Sequence, residues 1–147
     1  MTANNKERDE AAKEMQKYIR VKRCLEATGL AFVGHCVTHG THRYHISYLE
    51  AGHFMGGRRN AVLFDVMGIY NQCGHCNRTN HGEHKKYRKF LVKKHGEEWV
   101  LNRERRAKRT IPNVQIDFKK LRAGIKRMTE KMYHKYGYKT FYEILHS

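Results

Sequence analysis

Apolar positions recur three and four apart between Asn5 and Cys24, at Ala11, Ala12, Met15, Tyr18 and Ile19, and Thr28-Gly29 supplies a stop. This spacing predicts a weakly amphipathic N-terminal helix. Tyr44 to Leu49 alternates and is rich in β-formers, after a Thr38-His39-Gly40-Thr41 turn, so a strand is expected there. Residues 55–65 read as a loop around Gly56-Gly57, and Val62 to Asn71 as a second short strand broken at Gly68. After Gly82, Tyr87, Phe90 and Leu91 share one helical face up to Gly96. Glu97-Glu98 opens another helix that ends in Arg103, Arg105, Arg106, Lys108 and Arg109. Acids suit the positive end of that helix and cations the negative end. Beyond Pro112, the seam Val114, Phe118, Leu121, Ile125, Met128 and Met132 predicts one long C-terminal helix ending near Gly137. Core packing is the simpler use of the seam, and contact with a second copy the other.

Composition narrows the class. The 147 residues suit one domain, and 39% hydrophobic content with sixteen aromatics supports a modest core. No apolar run is long enough for a membrane span, and Met1 to Arg23 lacks the apolar stretch of a secretory signal, so a cytoplasmic protein is expected. Thirty basic residues against fourteen acidic leave +16, the balance of a protein that seeks polyanions. The charge is not uniform. Residues 84–109 hold eleven basic and three acidic residues, whereas 36–83 hold four and three and carry three of the four cysteines and six of the eleven histidines. A metal-type block is followed by a cationic one, in which Lys85, Lys86, Arg88, Lys89, Lys93 and Lys94 are set for phosphate contact.

Without secretion the cysteines favour metal over disulfides. Cys73-Gly74-His75-Cys76 is a C-x2-C knuckle, and Cys36-Val37-Thr38-His39-Gly40 has the same two-residue gap with a glycine for the turn. Together Cys36, His39, Cys73 and Cys76 form a Cys3His set for structural Zn2+. Cys24 is left over; it could replace His39 but reads more simply as a buried thiol.

Between the knuckles lie Glu50-Ala51-Gly52-His53-Phe54 and the loop Arg58-Arg59-Asn60, with Asn77 directly after the last cysteine. Histidine at a strand end followed by Asn at the next helix start resembles the HNH, or ββα-metal, nucleases. The order Cys36-x2-His39-Gly40, Glu50-Ala51-Gly52-His53-Phe54, Gln72-Cys73-x2-Cys76-Asn77, Gly82 and Tyr87 resembles more closely the lambdoid-phage NinG (Rap) recombination nucleases, over roughly residues 36–100. Four positions depart from that pattern: His39 stands for Cys, Glu50 for Asp, Gly68 for the middle Asn that pins the loop, and Glu83 for a further Asn. Asn71 is near enough to stand in for the middle Asn.

The resemblance implies an α+β fold: a zinc-clamped ββα-metal core with flanking basic helices, divided as 1–35, 36–100 and 101–147. It also implies a metal-dependent endonuclease acting on branched DNA, such as a Holliday junction, in phage recombination within a bacterial host. His53 would be the general base, while Asn77 and Glu50 would serve catalytic Mg2+ or Mn2+, with His81 and Glu83 as other ligand candidates. Arg58 and Arg59 would clamp phosphate, and Lys85, Lys86, Arg88 and Lys89 would hold DNA. A helix N-cap is the alternative for Asn77. The competing function is a zinc-stabilised nucleic-acid-binding protein with a decayed nuclease site. A homodimer built through the C-terminal seam is compatible with both.

Overall fold

The computed structural model describes residues 3–147; the first two residues of the expected 1–35 segment lie outside that range. Helix α1 (Ala3–Thr28) starts two residues before the expected Asn5 and ends at the expected Thr28-Gly29 stop. It buries Ala11, Ala12, Met15, Ile19 and Cys24, and Gly29 at φ +77° closes it by donating to the Leu25 carbonyl at 2.9 Å. The antiparallel pair β1 (Val33–His35) and β2 (Arg43–His45) follows, with the first knuckle in the connection between them. Next come β3 (Leu49–His53), α2 (Asn60–Leu63) and β4 (Ile69–Cys73), then α3 (His84–His95) and α4 (Glu97–Ala107). The long α5 (Phe118–Lys135) and short α6 (Phe141–Leu145) complete the chain. The fold is mixed α and β, and no described helix is long and apolar enough to cross a membrane.

Three expectations are corrected. The stretch Tyr44 to Leu49 is not one strand: a single turn at Ile46–Tyr48 separates β2 from β3. Ile46 is fully buried and donates to the Phe32 carbonyl at 2.8 Å, and the His45 side chain accepts from the Ser47 amide, so the chain bends to bring Ile46 inward. Val62 to Asn71 is likewise not one strand. Val62 and Leu63 are consecutive and both buried, which α2 achieves and an alternating strand would not; extended backbone begins at Ile69 and runs to Cys73. The C-terminal helix begins at Phe118 rather than Val114, because Asp117 caps the Lys120 amide at 3.1 Å and leaves Val114 89% exposed. The helix then buries Phe118, Ile125, Thr129 and Tyr133, a face rotated from the expected seam. Helix α6 was not expected, although Thr140-Phe141-Tyr142-Glu143 carries the N-cap signal, with Thr140 accepting from the Glu143 amide.

Strands β3 and β4 pair antiparallel, Leu49 opposite Cys73 through His53 opposite Ile69. All five residues of β4 are buried, including polar Asn71 and Gln72. Helix α1 covers β4 using Arg23, a buried arginine that donates to the Ile69 and Val66 carbonyls at 3.0 and 2.9 Å and stacks 3.7 Å over the Tyr70 ring. Helix α3 is tied to the same hairpin by Tyr87. Its buried hydroxyl accepts from the Tyr70 amide at 2.8 Å and donates to the Gly52 carbonyl at 2.6 Å, bridging two residues that oppose each other in the register. Replacing Tyr87 by Phe would leave both backbone groups buried and unpaired. The expected loss is about 1–3 kcal/mol, read from the urea midpoint at unchanged slope.

Candidate functional site

Two chemical centres adjoin on β3 and β4. At the first, Val37 donates to the Asn71 carbonyl at 3.0 Å and Gln72 donates to the Thr38 hydroxyl at 2.9 Å, which sews the 36–40 knuckle against β4. Gly40, at φ +74°, takes the left-handed turn that the knuckle requires. Cys36, Cys73 and Cys76 are buried, and their sulfurs all lie within 4.8 Å of one another, so this trio could hold a soft metal such as zinc. Burial pushes the Cys36 thiol up, but the Thr38 hydroxyl and the amides of Cys73 and Thr38 outweigh it and hold the thiol below its ordinary pKa. His39 is exposed, with Nδ1 3.4 Å from the Cys73 sulfur and its ring centroid 6.3 Å from that of His75. Cys24 is buried outside the trio, and burial pushes its thiol up to about 12, so it stays protonated.

The second centre is a cavity of about 470 Å³. Glu50 and His53 from β3, Asn77 and Arg78 from the turn after β4, and Arg20, Arg58 and His81 line it. Asn77 Nδ2 donates to Glu50 Oε1 at 2.9 Å, and Arg78 Nε donates to both Glu50 oxygens at 3.1 and 2.9 Å. Gly74 makes room for this fork, since a Cβ there would stand 2.5 Å from Arg78 Nη2 and 3.1 Å from Glu50 Oε2. His53 is largely buried, which lowers its pKa; a hydrogen bond to the Leu63 main chain opposes that shift without cancelling it. Its imidazole is thus neutral at pH 7. His81, Gly82 and Glu83 all have positive φ (53°, 87° and 49°), and this tight turn brings His81 to the cavity.

Glu83 is elsewhere, accepting from Asn80 at 2.8 Å and 3.8 Å from Lys86. Arg58 pairs with Asp9 at 3.3 Å, while exposed Arg59 makes no ion pair among the described residues. Arg88 is held by Glu97 and Glu104 at 2.6 and 3.0 Å, whereas Lys85 and Lys89 are exposed. Asn71 does not pin the loop between β3 and β4: its amide donates to the Arg20 carbonyl of α1 at 3.1 Å. Asn60 does that work, donating to the Ile111 carbonyl at 2.7 Å and Asn113 Oδ1 at 2.8 Å and accepting from Arg8 at 2.8 Å. Arg20 and Arg78 were missed from the sequence. Arg78 follows Asn77 directly and was within reach of motif reasoning; Arg20 reaches the cavity only through packing of α1.

A family model described as Bacteriophage Lambda NinG protein matches residues 2–131. The chain belongs to the NinG family. No curated protein and no solved structure matches it. The match takes in α1, both hairpins and most of α5, so the NinG pattern extends well beyond the 36–100 segment in which the resemblance was read.

Metal removal tests the thiol trio. Protein purified under reducing conditions should carry one metal ion per chain, and a chelator should lower the thermal midpoint by about 10 °C or more. Cys73→Ser should lose the ion, whereas Cys24→Ser should keep it, as read by elemental analysis.

Proposed function

We propose that this NinG-family chain is a divalent-metal-dependent DNA endonuclease of the HNH, or ββα-metal, type that acts on branched recombination intermediates. The observation that carries the reading is the convergence of Glu50, His53 and Asn77 on one cavity ringed by Arg20, Arg58 and Arg78. A β-hairpin leads into helix α3 around them. The thiol trio with His39 fits structural zinc: three soft thiolates and an imidazole beside one of them make the donor set of a closed tetrahedral site. The Glu50 carboxylate and the Asn77 amide oxygen are hard donors of the kind Mg2+ or Mn2+ prefers. An ion held there would offset charge developing on the phosphate and the leaving oxygen.

The chain's own groups supply the rest. The Leu63 contact orients the His53 ring, leaving its other nitrogen to take the proton from water. Arg58 leaves its exposed pair with Asp9 at little cost and turns to a phosphate oxygen, and Arg78 provides a second fork beside it. Asn60 holds the intervening loop in place of the absent middle Asn. Exposed Lys85 and Lys89 on α3 extend the grip along the backbone. The branched-DNA preference comes from the family alone.

A second reading, a nucleic-acid-binding protein without catalysis, is favoured by one observation: the Glu50 carboxylate is already taken by Asn77 and Arg78. Labelled linear, forked and four-way DNA incubated with Mg2+, Mn2+ or EDTA separates the two. Metal-dependent cutting is expected, with His53→Ala lowering it by about 10²–10⁴ while binding is kept. Tight binding by both proteins with cutting by neither would establish the binding reading.

Two further measurements follow from the same geometry. The base must be neutral to act, and the His53 pKa is lowered. The cleavage rate should therefore rise with pH through a midpoint below the ordinary histidine value and level off above it. In salt titrations of binding, Lys85→Ala and Lys89→Ala should each reduce the log–log slope by about 0.9, whereas Arg88→Ala, already committed to two carboxylates, should change it little.

A further inference from the structure

Helices α1 and α5 pack on each other, and a groove opens along one flank of α5, a helix about 27 Å long. Two cavities of about 800 and 570 Å³ form it, the first lined mainly by residues 115–131 with Met15 of α1, the second by both helices, and they meet at Met128 and Lys131. The floor is apolar: Met15, Tyr18, Leu25, Leu121, Met128 and Met132. Met128 is 46% exposed and Tyr136 at the far end 45% exposed, large apolar side chains that the fold leaves uncovered. The rim is cationic. Lys120 and Arg127 stand seven residues apart, Lys131 and Lys135 follow at steps of four, and none makes an ion pair among the described residues. The two acids on the rim are engaged: Asp117 caps the Lys120 amide, and Glu26 is held by Lys22 and Arg23 at 2.7 and 2.8 Å.

Gly124 lies in the same groove, in the interior of α5, where glycine weakens a helix. The chain's own packing does not require it. A Cβ there would meet nothing closer than Arg127 Nη2 at 3.8 Å, whereas one at Gly34 would stand 2.8 Å from the Cys24 sulfur and one at Gly52 would collide with the Gln72 side chain. The notch is open space against the α5 backbone, lined by apolar side chains and bordered by Lys120, Arg127 and Lys131.

We infer that this groove is a docking site for an acidic amphipathic helix of a partner protein. A helix laid between α1 and α5 would cover the exposed methionine and tyrosine with apolar residues at i, i+3, i+4 and i+7, approach the backbone at Gly124 and set its carboxylates against the lysine rim. A second copy of this chain is disfavoured, since symmetric docking would place one cationic rim against another in a protein of net charge +16.

The test uses the full chain and a fluorescent synthetic peptide of about five helical turns, with Leu and Phe on one face and Glu elsewhere, beside an isomer of the same composition in scrambled order. Anisotropy should show the amphipathic peptide binding at least about tenfold more tightly than its isomer. Gly124→Leu should weaken it by about tenfold or more, as should Lys131→Glu combined with Lys135→Glu. Gly124→Ala should raise the thermal midpoint and still weaken binding, which separates a blocked groove from a damaged fold. Equal binding of the two peptides, or no effect of Gly124→Leu, would overturn the proposal. So would a dimer in sedimentation that Gly124→Leu dissociates, which would make a second copy the occupant. Loss of DNA affinity in the lysine variant without loss of peptide binding would assign the stripe to nucleic acid instead.

Discussion

Burial of β4 is the constraint on which the rest of the molecule depends. Five consecutive residues, Ile69 to Cys73, are shut away from water, and two of them carry side-chain amides. A buried amide is costly unless paired. The Asn71 NH2 donates to α1, and the Gln72 NH2 to Thr38 of the first knuckle and to the Gly82 carbonyl after the second, while neither buried amide oxygen has a partner among the described residues. Each amide thus recruits a different part of the chain to one strand. Arg23 adds the α1 side of the clamp, where its guanidinium meets two carbonyls, one carboxylate and the face of Tyr70. Tyr87 adds the α3 side through one hydroxyl.

The placement of both centres follows from that strand. Cys73 ends β4 and faces the first knuckle because Gln72 and the Asn71 carbonyl hold residues 37 and 38 there. Asn77 and Arg78 lie one turn later and reach Glu50 across the hairpin. The thiol trio and the cavity lined by Glu50 and His53 are therefore not independent modules joined by a linker. Loosening the knuckle would release Gln72, and with it the Gly82 carbonyl beside the strained turn that positions His81.

Much of this was legible in the chain. The knuckle spacing pointed to Cys36, Cys73 and Cys76, which cluster, and to His39, which lies beside Cys73 but outside that cluster; the family resemblance pointed to Glu50, His53 and Asn77, which line one cavity. Helices α3 and α4 followed from periodicity and dipole charge. The failures have physical causes. Residues 44–49 alternate like one strand, but Ile46 is drawn inward by a contact with Phe32, which local pattern does not encode. Val62-Leu63 looked extended because short apolar runs do not distinguish strand from helix. Arg20 and Arg23 lie outside the apolar spacing that marks α1, yet one lines the cavity and the other is buried. A polar residue's partner is set by tertiary packing, and sequence spacing does not report it.

The loop between β3 and β4 is secured at two separate places. At position 68 the chain has glycine, and the Gly68 carbonyl receives the Phe54 amide at 2.9 Å to close the base of the loop. A Cβ at that position would stand 3.0 Å from Asp65 Oδ2, and Asp65 is itself held by Arg103 of α4 at 2.9 Å. The tip of the loop is secured separately, where Asn60 binds residues 111 and 113 on one side and Arg8 on the other. The tip is thus held from two sides, by α1 and by the segment after α4. Loop rigidity now depends on the flanking helices, so those helices are integral to the site rather than appended to it.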